Sequence, residues 1–193
     1  MPVPVDFSTP SLAIMSTMPI SLFVDSNAWD AFFDRGIDLR LELPSDQFSI
    51  QITREAEFEI PQMPPDKRRY VEAALNDKIV STDTYFGFYD ESLPPEQQRV
   101  AGFDCGRFAS EEELAVLRAE RSSVGPTMRP TGLYKNEADV SLAARSTVSV
   151  VLTCDGKKAL KRAKTMYGGT VVDLKRWNAG KSLATFIRAE LSK

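Results

Sequence analysis

The stretch 20–29 (ISLFVDSNAW) constrains the fold most strongly, because it begins with a run of apolar residues that stops on an acid, Asp25. A continuous apolar run of this length is typical of a strand that is buried on both faces of a parallel sheet. Ligands of open parallel sheets bind beyond the carboxyl ends of the strands, so an acid at this point is a candidate for chemistry. The alternative is that Asp25 or Ser26 caps the amino end of the next helix.

Strand-like and helix-like segments alternate along the rest of the chain. Further strands are predicted at 48–53, 148–155 and 169–174, and helices at 26–33, 54–60, 65–76, 110–121, 136–145, 157–166 and 179–193. Segment 37–43 (IDLRLEL) fits a strand or a helical turn and stays open. This alternation predicts βαβ units, a parallel sheet and therefore an α/β fold.

The 193 residues are enough for one domain with a sizeable core. We expect an N-terminal arm at 1–19 and a single domain at 20–193, with an irregular insertion at about 77–135. The arm is broken by prolines and lacks the basic start of a signal peptide, and no apolar run reaches the length of a membrane span. These features predict a cytoplasmic protein that does not insert into a membrane.

The chain contains no histidine, which excludes histidine bases, Ser-His-Asp and Cys-His nucleophile systems, and histidine-bound zinc. The two cysteines, Cys105 and Cys154, lie far apart without metal-ligand spacing, so free thiols are expected. Chemistry in this chain must therefore rest on carboxylates, lysine, tyrosine, cysteine or a hard metal ion.

Basic residues are concentrated at the C-terminal end, where residues 155–193 hold ten Lys and Arg against three Asp and Glu. This balance is compatible with contacts to a phosphate backbone, although the solvated faces of two helices would give the same composition. Aromatic and basic residues also mix in the insertion, at 85–89 and 102–108. They fit a lid or stacking platform, or a plug of the core beneath long loops.

Acidic residues from several segments are expected at one edge of the sheet. Asp25 and Asp155 each end a predicted strand, and Asp139 lies in the first turn of the helix that leads into the Asp155 strand. Glu55 and Glu59, four residues apart, share a face of the helix after another strand. Carboxylates that crowd together repel unless a divalent cation neutralises them, and oxygen-only ligands favour Mg²⁺ or Mn²⁺.

Each acid also has a structural alternative. Asp25 and Asp155 fit helix caps, Asp139 fits a capping-box-like turn with Asn136, and the two glutamates fit an exposed helix face. The convergence of all these alternatives on one edge is less expected than any single one of them.

The ordered motifs resemble those of PIN domains. They are Asp25-Ser26-Asn27 after the first strand, TREAEFEI at 53–60, DVSLAA at 139–144, VLTCD at 151–155 and GTVV at 169–172. The resemblance covers about residues 20–175. It implies a three-layer α/β/α sandwich around a parallel sheet and a metal-dependent nuclease, most often an endoribonuclease.

The resemblance also implies roles for individual residues. Asp25, Asp139 and Asp155 match the first, third and fourth acids of the family, and Glu59 matches the second, with Glu55 in reserve. Ser26, Asn27 and Thr153 match the small polar residues beside those acids. Mg²⁺ or Mn²⁺ would be the cofactor. The residues expected to contact nucleic acid are Arg107, Arg129, Lys157 and Lys158.

The expected partners are RNA or single-stranded DNA as substrate, with an antitoxin-like protein and a homodimer left open. The main alternative is a PIN-like binding or interaction module that has lost catalysis and works through the segment 77–135. A phosphotransferase fits less well, because dehalogenase-like enzymes carry a second Asp two positions after the first, where this chain has Asn27.

Overall fold

The computed structural model describes residues 18–103, 105–178 and 180–193. Most of the predicted arm at 1–19 lies outside these residues. The strands in chain order are β1 (Ile20–Val24), β2 (Phe48–Thr53), β3 (Val80–Asp83), β4 (Tyr85–Phe86), β5 (Val100–Ala101), β6 (Val150–Thr153) and β7 (Thr170–Asp173). A five-stranded sheet has the order β3-β2-β1-β6-β7 and all its pairs are parallel, while β4 and β5 form a separate small sheet.

The helices in chain order are α1 (Ala28–Asp34), α2 (Leu39–Glu42), α3 (Arg54–Glu57), α4 (Pro65–Asn76), α5 (Glu111–Glu120), α6 (Glu137–Arg145), α7 (Lys158–Met166) and α8 (Leu183–Leu191). Buried residues of α1, α4 and α8 form one apolar cluster, and those of α5, α6 and α7 form a second. The predicted α/β class with a central parallel sheet is confirmed, and the helix layers are consistent with a three-layer sandwich.

Strand β1 is buried on both faces, as its apolar run predicts. Leu22 and Val24 pack in the first cluster, and Phe23, which points to the opposite face, packs in the second. The central position of β1 between β2 and β6 explains why alternation of polar and apolar residues is missing from it.

The structure settles one segment that the sequence left open and shortens one predicted helix. The open segment 37–43 contains the short helix α2, because Asp38 accepts a hydrogen bond from the Arg40 backbone N–H at 2.9 Å and starts a helical turn. The predicted helix 54–60 ends at Glu57, and a 3₁₀ turn at Ile60–Gln62 follows it. Glu59 therefore lies between two helical turns.

The chain direction around β1 creates a crevice at the carboxyl edge of the sheet. From β1 the chain moves to β2 on one side, and later it enters β6 on the other side. Such a reversal of strand order is the point at which open α/β sheets bind their ligands. The residues that follow β1 and β6 therefore lie where a ligand site is expected.

The predicted insertion at 77–135 contains regular elements. Its first part supplies the edge strand β3 of the main sheet, which the sequence pattern missed because its residues, VSTD, are few and mostly polar. Helix α5 begins at the predicted capping box, in which Ser110 and Glu113 bond each other's backbone N–H groups.

A buried ion network fixes the insertion to the rest of the domain. Arg145 of α6 is fully buried, and its Nε donates to Asp83 Oδ2 at 2.7 Å. Its guanidinium carbon lies 4.1 Å from the centre of the Tyr85 ring. The other Asp83 oxygen accepts from Arg107 Nε at 2.6 Å, and Arg107 also pairs with Glu113. Helix α6 is therefore held to the ends of β3 and α5 by charge pairs.

None of the helices in the described ranges is both long enough and apolar enough to cross a membrane.

Replacing Arg145 with Met should lower the free energy of unfolding by about 3–5 kcal/mol, because a buried carboxylate loses one of its cations. Urea denaturation followed by circular dichroism measures this loss. Arg40→Met is the control, since Arg40 pairs with Asp77 where both side chains are more than half exposed, and it should cost less than about 1 kcal/mol. Equal losses in the two variants would contradict a stabilising role for the network.

The Glu113 carboxylate should make stability depend on pH. Its burial raises the pKa, but the Arg107 guanidinium and the Ser110 backbone N–H outweigh burial and hold the pKa below its usual value of 4.5. The resulting stabilisation is complete above pH 4.5 and disappears as the pH falls through the lowered pKa. The difference in unfolding free energy between the wild type and Glu113→Gln should therefore shrink from pH 7 to pH 3, and a constant difference would refute this.

Candidate functional site

Asp25 lies directly after β1, at the crevice between β1 and β6. Its residue is only 2% exposed, and its backbone N–H donates to the Leu152 carbonyl at 3.0 Å. Oδ2 of its carboxylate accepts hydrogen bonds from Asn27 Nδ2 at 2.7 Å and from Thr153 Oγ1 at 2.8 Å. Oδ1 lies 3.9 Å from Lys157 Nζ. One carboxylate oxygen is thus held by neutral donors and the other faces a cation.

Asn27 ties the end of β1 to the end of β6. Its Oδ1 accepts the Cys154 backbone N–H at 2.6 Å, while its Nδ2 holds Asp25. Asn27 also occupies the N-cap position of α1. The alternative that Asp25 or Ser26 caps this helix is therefore wrong, because the cap position is that of Asn27. The Asn27 side chain does not bond the helix but extends to the residue that follows β6.

Asp139 comes to the same place from α6, as its position in the first helical turn predicts. Its Oδ1 lies 2.6 Å from Lys157 Nζ. The alternative pairing with Asn136 is not what forms, because Asn136 Nδ2 donates to the Ser123 carbonyl at 2.9 Å. Asp25 and Asp139, which are far apart in the sequence, therefore face one ammonium group.

Lys157 is the feature of the site that the pattern of acids did not reveal. Burial acts to lower the pKa of its ammonium, but Asp25, Asp139 and Glu59 outweigh this effect and raise the pKa. The lysine precedes α7, and its side chain is 29% exposed. The sequence predicted it as a contact for nucleic acid, whereas the structure places its ammonium against the acids.

The two candidates for the second acid have different surroundings. Glu59 accepts a hydrogen bond from the Ser26 hydroxyl, so it lies beside the turn that carries Asp25. Glu55 is 7% exposed and accepts from Ser141 Oγ of α6 at 2.7 Å. The break between α3 and the following turn separates them, so they do not share the predicted helix face. This arrangement favours Glu59 as the residue of the site.

Asp155 follows β6 but does not join the group around Lys157. Its backbone N–H donates to Thr153 Oγ1 at 2.9 Å, and the residue is exposed. Within residues 18–103, 105–178 and 180–193, no three acids or cysteines are arranged so that they could hold one metal ion together. The structure thus brings Asp25 and Asp139 to the Lys157 ammonium and places Glu59 beside Ser26. Asp155 is exposed and makes no contact with this group.

Burial is the largest influence on the pKa of the Asp25 carboxyl group. It raises the pKa of the carboxyl group, and the negative charge of Asp139 adds to this rise. Lys157, Thr153 and Asn27 act in the opposite direction without cancelling it. A buried carboxylate with a raised pKa in a crevice is a common mark of a functional site, and it benefits from a neighbouring cation.

A cleft of about 360 Å³ opens beside Asp139. Its lining comprises Ser123, Asn136, Asp139, Lys157, Lys158, Ala159 and Arg162. Lys158 is exposed there, as a contact for an external ligand requires. Arg129 is exposed on a loop, whereas the Arg107 guanidinium is bound by Asp83 and Glu113, which favours a structural role for Arg107.

The insertion presents aromatic rings to solvent. Phe88, Phe103 and Phe108 are 93%, 85% and 74% exposed, and each of their rings lies within 6.4 Å of the Phe86 ring. These side chains therefore do not plug the core, which was one of the two interpretations of the sequence. The interpretation as a lid or stacking platform stays a prediction.

Comparison of the chain with protein-family models, with curated proteins and with solved structures finds no match. The PIN-like identity therefore stays a prediction. It rests on the four acidic motifs and on the small polar residues beside them.

Replacing Thr153 with Val should lower the free energy of unfolding by about 1–3 kcal/mol, because the buried Asp25 carboxylate and the Asp155 N–H each lose a partner. Thermal and urea denaturation measure the loss. Thr165→Val removes a hydroxyl from an exposed position and should change stability by less than about 0.5 kcal/mol. Equal losses of unfolding free energy in the two variants would show that the hydrogen bonds of the Thr153 hydroxyl do not stabilise the fold.

Proposed function

We propose that this protein is a metal-dependent nuclease of PIN-like type, which hydrolyses phosphodiester bonds of RNA. One observation carries the proposal: Asp25 and Asp139, from different elements, converge on a single cation at the crevice where the strand order reverses. A buried carboxylate that requires a counter-charge is costly to desolvate, and such groups cluster at functional sites.

The donors at this position suit Mg²⁺ or Mn²⁺. They are carboxylate oxygens, which hard cations prefer, and the chain offers no histidine. Magnesium sites often use only one or two carboxylates and complete their shell with water and substrate phosphate. Asp25 and Asp139 would hold the metal. Glu59 and Asp155, the other two acids that the resemblance implies, would act through water.

A metal bound there would make a bound water more acidic and would stabilise the charge that develops on the phosphate. The chain's own residues orient Asp25: Asn27 and Thr153 hold its Oδ2, so that Oδ1 faces the Lys157 ammonium. Lys158 is exposed on the same cleft and would bind the nucleic-acid backbone by charge. RNA as the substrate and an antitoxin-like partner follow only from the resemblance.

A second function, a PIN-like module that binds without cleaving, is favoured by two observations. The ammonium of Lys157 already pairs with Asp139 and lies 3.9 Å from Asp25, and Asp155 lies exposed outside the group. Such a module would bind its partner through the insertion, where exposed aromatic rings cluster. Metal-dependent cleavage distinguishes the two functions.

Asp25→Asn should abolish cleavage. The wild type should cut an end-labelled single-stranded RNA of mixed sequence with Mg²⁺ or Mn²⁺ and should stop cutting with EDTA. The variant should be at least about a hundredfold slower, because a lost metal ligand removes several kcal/mol of charge stabilisation. A single-stranded DNA of the same sequence tests the preference for RNA.

Asp66→Asn is the matched control, since Asp66 is an exposed acid on α4 that pairs with Arg69, and it should cut like the wild type. Circular dichroism of each variant checks that the fold is retained. Cleavage by Asp25→Asn that still depends on Mg²⁺ would refute the assignment of the site. An intact wild-type chain that cuts neither RNA nor DNA would favour the binding module.

A further inference from the structure

We infer that Lys157 is a built-in counter-cation of the acidic site, which a divalent metal must displace and which then turns to the substrate phosphates. The inference rests on the proposed function, because it concerns the regulation of the same site. Lys157 lies outside all of the acidic motifs.

The position of the ammonium carries the argument. Lys157 Nζ lies 2.6 Å from Asp139 Oδ1 and 3.9 Å from Asp25 Oδ1, so one ammonium is within 4 Å of an oxygen of each carboxylate. Oδ2 of Asp25 is held by Asn27 and Thr153, which leaves Oδ1 as the oxygen that meets a cation. A metal held by the same two carboxylates would have to take the place of the ammonium.

Electrostatics prevents both cations from staying. Two positive charges a few ångströms apart in a partly buried site repel strongly. Without any cation, however, the buried Asp25 and the nearby Asp139 would repel each other in the same way. The lysine therefore stabilises the metal-free protein and opposes metal binding at the same time.

The cleft beside Lys157 leaves space into which its side chain can rotate. It has a long flexible stem, it is 29% exposed, and it lines the same cleft as Lys158. Rotation of the stem would move the ammonium from the acids into the cleft without a change in the backbone. There it would lie beside an exposed lysine, where the phosphate of a bound substrate would be neutralised.

This arrangement predicts two effects of opposite sign in Lys157→Met, which keeps the stem and removes the charge. The metal-free variant should melt at a lower temperature than the wild type, because the acids lose their counter-cation. It should bind Mn²⁺ about tenfold more tightly, since binding no longer breaks a charge-assisted contact. A lysine with a merely structural role would lower the melting temperature without improving metal affinity.

The test is a Mn²⁺ titration followed by calorimetry, with the melting temperature of each metal-free variant. Lys158→Met is the matched control, because Lys158 is the exposed neighbour on the same cleft, and its Mn²⁺ affinity should stay within about twofold of the wild type. Equal or weaker Mn²⁺ binding by Lys157→Met would overturn the inference, even if the wild type cuts RNA.

The wild-type chain provides a second measurement that does not depend on the folding of a variant. Acetylation of lysines, read by mass spectrometry, should be slow at Lys157 without metal and several-fold faster with Mn²⁺, while Lys158 should not change. Unchanged labelling of Lys157 at saturating Mn²⁺ would overturn the inference.

The outcomes also separate this inference from the proposed function. If Mn²⁺ binds to Lys157→Met but not to the wild type, the lysine occupies the metal position permanently. The displacement that we infer is then overturned, and the binding module is favoured over the nuclease. If Mn²⁺ binds to neither protein, both the inference and the metal mechanism fail.

Discussion

Asp25 carries a carboxylate that is almost completely buried at the end of the central strand, so its charge has to be compensated within the protein. The surrounding residues meet this requirement in two ways. Asn27 and Thr153 hold one oxygen by hydrogen bonds, and in doing so they join the ends of β1 and β6. The other oxygen faces Lys157. The geometry of the crevice therefore depends on how this single charge is neutralised.

A second system of buried charges holds α6, the helix that carries Asp139, to the end of β3. Arg145 binds Asp83 at the end of β3, and it also donates to Ser141, whose hydroxyl holds Glu55. Because Arg145 and Asp139 belong to the same helix, the network that anchors α6 also positions the acid that meets Lys157. The insertion contributes Arg107 and Glu113 to this network. Its attachment and the placement of Asp139 are therefore physically connected.

Lys157 gives the two candidate functions a common origin. A cation between Asp25 and Asp139 is needed in either case, because the two carboxylates repel each other. If a metal replaces the ammonium, the site is that of a nuclease whose acids Lys157 stabilises while the protein is metal-free. If the ammonium stays, the same residues form a permanent ion cluster that stabilises a binding module. The two candidate functions therefore differ in whether the carboxylates of Asp25 and Asp139 bind a metal ion more tightly than the Lys157 ammonium.

The sequence by itself determined the elements whose signal is local. The apolar runs predicted β1, β2, β6 and β7, the capping box predicted the start of α5, and the strand-end position of Asp25 and the helix-start position of Asp139 followed from the same patterns. Only the tertiary structure decided the pairing of charges. The different partners of Glu55 and Glu59, the burial of Arg145, the exposure of Asp155 and the contact of Lys157 with both acids depend on packing between distant elements. The physical reason is that hydrogen-bonding propensity and periodicity act between neighbours in the chain, whereas burial and ion pairing act between neighbours in space.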